Sequence, residues 1–341
     1  MDSELFERDR HVTFLQMMYQ LLPSPYQSQE INRLTLAYFV ISGLDLLNAL
    51  DGLVDKDAVA TWVLSLQAHP RSTAELNNGQ FYGFHGSRAA QFPPEDNDNE
   101  ALSPSVSNLA STYCALTLLK IVGCNLSSID SESILTSMRN LQQPDGSFMP
   151  IHTGAETDLR FIYCAGTTVK AYIGHLSYVG KLEWHGQGES QGVHIKVPGG
   201  ATYCGVASLC LMGFIEDEIL SKNAPSSIID VPLLLDWCVQ RQAADGGFQG
   251  RPNKPSDTCY AFWIASVLKI LGGHKFIDKK ALHGFLQTCQ SKYGGFSKFP
   301  GQLPDLYHSY YGLTAFSLLE EPGLNPLCVE LGMTAIATMG I

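Results

Sequence analysis

A carboxylate and a thiol stand two residues apart at the start of an apolar run, and an imidazole opens the next such run. Asp257 and Cys259 precede the apolar residues that continue to Leu271, and His308 precedes a similar stretch. Carboxylate, thiolate and imidazole are zinc ligands, and three of them leave a fourth coordination position open, as in catalytic zinc sites. Chance and core packing explain an isolated Asp-x-Cys pair, whereas the histidine at the equivalent position of the next run favours a metal site.

Two cations stand just before this pair. Arg251 and Lys254 lie on a proline-restricted turn, and Tyr260 follows them. Arginine binds anionic oxygens through a fixed fork and lysine acts as a point charge, so the pair suits phosphate oxygens, with Tyr260 adding a hydrogen bond. Arg160, which follows Glu156 and Asp158, is either a third cation for the same ligand or a salt-bridge partner.

Aromatic side chains are expected to line the wall below these polar groups: Phe39, Phe161, Tyr163, Phe262 and Trp263. Metal ligands, cations and an aromatic wall together predict an apolar substrate with a diphosphate head. A phosphate-binding lysine loop, a nucleophile elbow and a dinucleotide fingerprint are absent from the sequence.

The elements that must position these residues recur along the chain. Amphipathic segments end in a glutamine at Gln67, Gln142, Gln242 and Gln290, and the last three lead into a glycine turn closed by an aromatic residue, at 145–148, 245–248 and 293–296. Apolar helices are predicted to begin at 112–114, 162–164, 202–204, 257–260 and 308–311, mostly with a Tyr-Cys signature. Each tyrosine or cysteine taken singly is explained by core packing, but their recurrence at one position of the repeat is not.

A helix pair that is half amphipathic and half apolar cannot bury itself, and a closed ring of such pairs makes the apolar helices its inner wall. We therefore predict an all-α fold, an α/α toroid that forms a single domain over residues 1–341. In such a ring the first residues of the inner helices converge on one rim, which would bring Asp257, Cys259 and His308 together.

Two segments depart from the repeat. Residues 69–105, which carry prolines and an acidic run, are predicted to be a polar loop insertion with little regular structure. Residues 166–198 form a shortened, atypical repeat without a full amphipathic helix or a Gly-Gly-Phe turn, and 183–192 is too rich in glycine for a helix interior. We expect this segment to be poorly ordered and attribute it to altered splicing or a shifted reading frame.

Composition narrows the class of protein. The formal net charge of −11 argues against a nucleic-acid partner, which needs a clustered basic face. Apolar runs are shorter than the roughly 20 residues of a membrane span, and the acidic N-terminus is unlike a signal peptide. Nine cysteines in apolar runs suit reduced thiols and a cytoplasmic protein without stable membrane insertion. The remaining histidines singled out are interpreted as surface or loop residues: His11, His69, His85, His274 and His283.

The motifs at 251–260 (RPNKPSDTCY), 294–298 (GGFSK) and 304–308 (PDLYH) resemble the β subunits of protein prenyltransferases, most closely the type I geranylgeranyl class. The likeness extends from Asp9 to about Glu321, except for 166–198. It implies an obligate heterodimer with a prenyltransferase α subunit. It also implies transfer of a C20 geranylgeranyl group from geranylgeranyl diphosphate to the cysteine of a C-terminal CaaX motif, X often Leu, on Rho/Rac-type small GTPases and similar proteins.

The resemblance also implies roles for individual residues. Asp257, Cys259 and His308 would bind one zinc ion, while Lys254 and Tyr260, with Arg251, would stabilise the departing diphosphate. Lys298 stands where the farnesyl enzyme has a magnesium-binding carboxylate, so turnover without Mg²⁺ is expected. The isoprenoid pocket would further contain Thr35, Phe39, Arg160, Tyr163, Cys164, Gly200, Cys204 and Trp263. The site for the last CaaX residue would contain Asn108, Ala110, Phe161 and Tyr307.

Chain-length choice is expected to depend on Thr35, because the farnesyl enzyme has a bulky tryptophan there and threonine leaves room for a fourth isoprene unit. Two family histidines are replaced, by Pro198 and by Asn108. Two alternatives stay open: the β subunit of a Rab geranylgeranyltransferase, and a catalytically impaired variant that still binds the α subunit.

Overall fold

The computed structural model describes residues 6–90, 107–173, 199–215 and 229–339. Their contacts group them into two compact units, which are treated separately below. The first contains the described residues of 6–21, 39–53 and 199–339, and the second those of 22–38 and 54–173. That residues 1–341 form a single domain therefore stays a prediction.

Both units are built almost entirely from helices. The α-helices among the described residues are α1 (Arg8–Gln20), α2 (Arg33–Leu46), α3 (Lys56–Leu64), α4 (Thr73–Leu76), α5 (Leu109–Ile121), α6 (Ser131–Met138), α7 (Leu159–Thr167), α8 (Gly199–Leu211), α9 (Val231–Val239), α10 (Thr258–Ile270), α11 (Lys279–Cys289) and α12 (Leu306–Leu318). Short 3₁₀ segments are Ser24–Asn32, Arg88–Ala90, Leu126–Ser128, Arg139–Leu141 and His274–Phe276. Two short antiparallel strands, β1 (Leu327–Cys328) and β2 (Met333–Thr334), follow α12. None of the helices in the described ranges combines the length and the apolar character that a membrane span requires.

The apolar helices form where the repeated signature predicted them. Helices α5, α7, α8, α10 and α12 begin within a few residues of the predicted starts, and most of their side chains are buried. A polar side chain accepts hydrogen bonds from the first backbone N–H groups of α5, α7, α10 and α12, which would otherwise be unsatisfied. These capping residues are Asn108, Asp158, Asp257 and Asp305.

The repeated glutamines hold the start of the next amphipathic helix. The Gln242 amide accepts from Asp278 N–H and donates to Asp278 C=O, both at 3.0 Å, and Asp278 caps α11. Gln67 makes the same pair of bonds with Asp130, the cap of α6. Gln290 accepts from the backbone N–H of Glu7, the residue before α1. The glutamines are therefore side-chain clamps between consecutive repeats.

Each glutamine also pairs through its backbone with a buried aromatic residue. The bridges are Gln67↔Phe84, Gln142↔Phe148, Gln242↔Phe248 and Gln290↔Phe296, and all four phenylalanine side chains are buried. The pairing of Gln67 with Phe84 is a fourth copy of the glycine turn, which sequence comparison missed because residues 68–83 separate the two partners.

The loop predicted over 69–105 does have little regular structure in its described part, 69–90, but its expected polar character is wrong for 81–85. Phe81, Tyr82, Phe84 and His85 are all less than 5% exposed, because this stretch closes the core of its unit. Residues 91–105 lie outside the described ranges. The interpretation of His11 as a surface or loop residue is also wrong, since it is buried on α1, whereas His85 is a loop residue as expected but a buried one.

Backbone hydrogen bonds link the starts of α5, α8 and α10 to the turn of the following repeat, and the start of α12 to the turn before it. Thr258 N–H, at the start of α10, donates to Lys298 C=O at 3.2 Å, and Asp305 N–H donates to Phe296 C=O at 3.2 Å. The segment 296–305 therefore joins the starts of α10 and α12. Gly199 N–H donates to Gly250 C=O in the same way.

The atypical segment 166–198 is described only in part. Gly166 and Thr167 belong to α7, and a π-helix continues through Thr168–Ile173. The remainder, 174–198, with Pro198 and the glycine-rich stretch, lies outside the described residues. Helix α2 ends at Leu46, and Asn48, with a φ of 49°, lies in the turn that follows.

We predict that Gln242→Ala lowers the free energy of unfolding by about 0.5–1.5 kcal/mol, because it removes the side-chain hydrogen bonds to the backbone of Asp278 and Gly246. Denaturant unfolding of the full chain measures this. Gln240→Ala is the matched control, since the exposed Gln240 amide bonds only the Asp236 carboxylate within the described part of the chain. Equal losses for the two variants would contradict a clamping role.

Candidate metal centre

The structure brings Asp257, Cys259 and His308 together in the first unit. One ligand atom from each side chain lies within 4.8 Å of the other two. The side chains of Asp257 and His308 are 7% and 12% exposed, and Cys259 is 5% exposed. Within the described residues this is the one cluster of three or more such groups able to hold a metal ion.

Local structure at two helix starts explains this arrangement. Asp257 caps α10 and accepts from Cys259 N–H at 3.0 Å, so both ligand side chains belong to the first turn of α10. His308 occupies the first turn of α12, where its N–H donates to the Asp305 carboxylate at 2.8 Å. Helices α10 and α12 pack side by side, so their first turns are neighbours.

Electrostatics of the cluster favour an anion at Asp257 and a cation at His308. Burial opposes the charge on Asp257, but hydrogen bonds from His308 and the Cys259 backbone outweigh it and lower the pKa of this carboxyl. Burial also opposes the charge on His308, but hydrogen bonds to Asp257 and Asp305 raise its pKa to about 9. Burial and the adjacent Asp257 charge raise the pKa of the Cys259 thiol.

These donors fit a metal ion. His308 Nδ1 lies 2.6 Å from Asp305 Oδ2, which leaves Nε2 directed at the cluster, 3.4 Å from Asp257 Oδ1. A carboxylate that accepts from the outer nitrogen of a metal-binding histidine orients the ring and increases its basicity. Asp305 has this position, and the proton on His308 Nε2 occupies the place that a metal ion would take.

Further predicted cations and Tyr260 lie around this cluster. Lys298 Nζ is 3.7 Å from Asp257 Oδ2, and its side chain is 46% exposed. Arg251 and Lys254 are exposed on the turn before α10. Tyr260 is half-buried, and burial together with the nearby Cys259 and Asp257 raises its pKa, while Arg251 opposes that rise.

Two glycines allow Tyr260 to lie against the cationic turn. A Cβ atom at Gly250 would lie 2.0 Å from the Tyr260 ring, and one at Gly199 would lie 2.5 Å from Ile264 and 3.2 Å from Tyr260. Any side chain at Gly250 would therefore displace the tyrosine from its position beside Arg251.

A continuous group of aromatic rings extends from the cluster in the same unit. The Trp263 ring lies 4.4 Å from Tyr311 and 4.9 Å from Tyr203, and the Tyr307 ring lies 4.7 Å from Tyr311. Phe39 contacts Tyr307 at 5.8 Å between ring centroids. Of the other predicted pocket residues of this unit, Cys204 is buried and Gly200 lies near the Trp263 indole, which a Cβ atom there would approach to 3.9 Å.

The second unit contains the remaining predicted site residues. Tyr163 and Cys164 are buried on α7, and the Thr35 hydroxyl lies 3.8 Å from the Cys114 thiol. Asn108 caps α5 through bonds from Ala110 N–H and Ser111 N–H, so its amide oxygen has a structural role. Arg160 pairs with Asp158, and its guanidinium lies 5.8 Å from the Phe161 ring. Arg160 therefore has a salt-bridge partner, and its role as a third cation for the ligand stays a prediction.

Sequence reasoning missed three residues near the metal cluster. Asp305 orients His308, and its signal was the Asp-x-x-His spacing at a helix start. Tyr311 and Tyr203 belong to the aromatic group, and both lie within the repeated signature positions. Tyrosine at these positions was attributed to core packing.

Comparisons with known proteins agree with this architecture. The profile of the prenyltransferase alpha-alpha toroid domain family matches residues 6–333. Geranylgeranyl transferase type-1 subunit beta of Arabidopsis thaliana is 61% identical over 354 aligned residues, covering 99% of this chain and 92% of that protein. The protein of the same name from Dictyostelium discoideum is 33% identical, with 94% of each chain covered.

The structure of Candida albicans protein geranylgeranyltransferase-I complexed with GGPP superposes with a TM-score of 0.76 at 23% identity, covering 98% of this chain and 97% of that chain. This likeness shows a shared fold. Together with the family profile it confirms the predicted α/α toroid class.

We predict that Asp305→Asn lowers the pKa of His308 from about 9 toward its ordinary value of 6.5 in the metal-free protein, because asparagine can still cap α12 but carries no charge. A raised pKa stabilises the fold below pH 6.5, and this contribution is lost as pH rises through about 9. The variant should therefore lose stability at neutral pH.

An NMR titration of the His308 ring protons, assigned by their absence in His308→Gln, measures this shift. Asp278→Asn, which changes the cap of α11, is the control and should leave the His308 pKa unchanged. An unaltered His308 pKa in Asp305→Asn would show that Asp305 does not hold the imidazole.

Proposed function

Since this chain belongs to the prenyltransferase alpha-alpha toroid family, we propose that it is the catalytic β subunit of a protein geranylgeranyltransferase type I. It transfers a C20 geranylgeranyl group from geranylgeranyl diphosphate to the cysteine of C-terminal CaaX motifs, X often Leu, on Rho/Rac-type small GTPases and similar proteins. The observation that carries the proposal is the buried Asp257–Cys259–His308 cluster, with Lys298 beside it, in a chain 61% identical to a protein of that name.

We assign zinc to the cluster, with Asp257, Cys259 and His308 as its ligands. Zinc, when bound, supplies a positive charge that keeps a coordinated sulfur in its thiolate form near neutral pH. Asp257 contributes a carboxylate that is already ionised, and Asp305 holds the His308 ring in place. A general base is then unnecessary for the acceptor cysteine.

In the proposed transfer, the sulfur of the acceptor forms a bond to C1 of the isoprenoid while the C1–oxygen bond to the diphosphate breaks. Negative charge accumulates on the departing diphosphate. Arg251, Lys254 and the Tyr260 hydroxyl are proposed to stabilise it, and Gly250 permits Tyr260 to lie at this turn.

Lys298 is proposed to replace a magnesium ion. Its ammonium lies 3.7 Å from Asp257 Oδ2 in the absence of ligands, so it can offer a fixed positive charge at the edge of the metal cluster. With a metal ion bound, the Asp257 charge would be neutralised, and the Lys298 ammonium would be available to the diphosphate. Turnover is therefore expected without Mg²⁺.

The remaining assignments follow the family. Thr35, Phe39, Arg160, Tyr163, Cys164, Gly200, Cys204 and Trp263 are proposed to contact the isoprenoid. The proposed contacts of the last CaaX residue are Asn108, Ala110, Phe161 and Tyr307. The side chain of Tyr307 is 37% exposed beside the metal cluster, which leaves part of its ring accessible to a peptide.

A prenyltransferase α subunit is the proposed partner, and the cytoplasm the proposed location. The β subunit of a Rab geranylgeranyltransferase is the second candidate from the sequence, but both curated relatives cited above are type-1 subunits. A variant that binds the α subunit without turnover is the third, because the sequence of 166–198 departs from the repeat.

We predict single-turnover transfer of a C20 group to a peptide ending in Cys-a-a-Leu by the full chain co-expressed with the α subunit, in buffer that contains zinc and no magnesium. Transferred label is measured by mass spectrometry. Cys259→Ala should abolish transfer, whereas Cys289→Ala, another buried thiol on a neighbouring helix, should retain it.

Absence of transfer despite bound zinc and α subunit would favour the impaired variant. Transfer only in the presence of an escort protein would favour the Rab class. A requirement for added magnesium would remove Lys298 from its proposed role.

We also predict that Thr35→Trp shifts donor preference toward the C15 diphosphate by at least tenfold, because the added ring volume fills the depth that a fourth isoprene unit needs. Competition between C15 and C20 diphosphates for one peptide measures the ratio. Thr35→Ser, which keeps a small hydroxyl side chain, is the control. An unchanged ratio in Thr35→Trp would exclude Thr35 as the selector.

A further inference from the structure

Tyr307 connects the metal cluster with the aromatic group. It immediately precedes His308 on α12, and the two rings are nearly perpendicular at 4.9 Å between centroids. Its hydroxyl oxygen accepts from Trp263 Nε1–H at 3.4 Å and also forms a hydrogen bond with the Cys259 thiol group. The hydroxyl therefore lies between one candidate metal ligand and the indole.

The chemistry of the partners fixes the direction of these bonds. An indole N–H can only donate, so the Tyr307 oxygen is the acceptor toward Trp263. When a metal ion holds Cys259 as a thiolate, the sulfur can only accept, so the hydroxyl hydrogen of Tyr307 is directed at it. Trp263 therefore donates to Tyr307, and Tyr307 donates to the Cys259 sulfur.

Packing holds Tyr307 in this position. Its ring contacts Phe39 at 5.8 Å and Tyr311 at 4.7 Å, and Tyr311 in turn contacts Trp263 at 4.4 Å. These ring contacts and the bond from Trp263 restrict the side chain, and a fixed hydroxyl is what an outer-sphere group needs to influence a metal ligand.

We propose that Tyr307 is a positioning residue that acts through Cys259: its hydroxyl donates to the sulfur of the metal-bound thiolate, and Trp263 orients that hydroxyl. This inference rests on the proposed metal centre. A hydrogen bond to a thiolate withdraws electron density from the sulfur, which leaves the metal more electron-poor and better able to hold a second sulfur, that of the acceptor, as a thiolate. If Tyr307 only contacted the peptide, its ring would be sufficient and its hydroxyl would not be needed.

Cobalt(II) substituted into the full chain, co-purified with the proposed α subunit, reports this bond directly. Sulfur-to-cobalt charge-transfer absorption of the protein without peptide depends on the electron density at Cys259. Tyr307→Phe keeps the ring and removes the donor, so the band should move to lower energy. Zinc affinity, measured by chelator competition, should weaken about tenfold, in the range known for outer-sphere groups.

Two further variants separate this role from general packing. Trp263→Phe should shift the band in the same direction by less, and adding it to Tyr307→Phe should cause no further shift, since Trp263 acts through Tyr307. Tyr311→Phe removes a hydroxyl from the neighbouring ring and should leave the band and the zinc affinity unchanged.

The inference would be overturned if the unmodified protein shows cobalt–thiolate absorption but folded Tyr307→Phe has the same band and the same zinc affinity. That result would leave the metal centre intact. Equal shifts in Tyr307→Phe and Tyr311→Phe would also overturn it, since packing would then be the cause. No charge-transfer band in the unmodified protein would instead refute the metal centre itself.

Discussion

The Asp257 carboxylate is a buried anion, and several features of its surroundings exist to accommodate it. An ionised carboxylate is costly to bury without partners, and its partners here come from three places along the chain. Cys259 N–H belongs to the same helix, Lys298 to the following glycine turn and His308 to the next apolar helix. Satisfying one charge therefore requires two helices and the turn between them to assemble correctly. The same contacts place a thiol and an imidazole beside the carboxylate, so the requirement of the fold and the requirement of the chemistry coincide.

Helix caps that have a structural role at other helix starts of the described chain lie beside candidate metal ligands at α10 and α12. A polar cap begins α5, α7, α10 and α12, and at Asn108 and Asp158 the cap has no ligand beside it among the clusters found in the described residues. At α10 the cap is joined by Cys259 on the same turn. At α12 the cap, Asp305, is not a ligand but orients His308. A repeat built for capping thus supplies both the inner and the outer groups of the candidate metal centre, and the glutamine clamps hold the amphipathic helices of the repeats.

Much of this could be predicted from the sequence. The apolar helices, their starts and the approach of Asp257, Cys259 and His308 follow from repeat register, because equivalent positions of packed repeats lie near one another. The buried turn at Phe84 could not be predicted, because residues 68–83 separate it from its partner Gln67 and their polarity indicates a loop. The direction of the Tyr307 hydroxyl could not be predicted either. Sequence spacing places Tyr307 beside His308, but the direction of its hydroxyl depends on Trp263 from another helix. Hydrogen-bond direction and burial are tertiary properties, and periodicity does not encode them.

X-ray absorption at the zinc edge of the purified protein with its proposed α subunit tests the central claim most directly. The account predicts one zinc per chain with a single sulfur neighbour at about 2.3 Å and nitrogen and oxygen neighbours at about 2.0–2.2 Å. A second sulfur should enter the first shell when a peptide ending in Cys-a-a-Leu is added. A zinc ion without a sulfur neighbour, or a first shell that the peptide leaves unchanged, would contradict it.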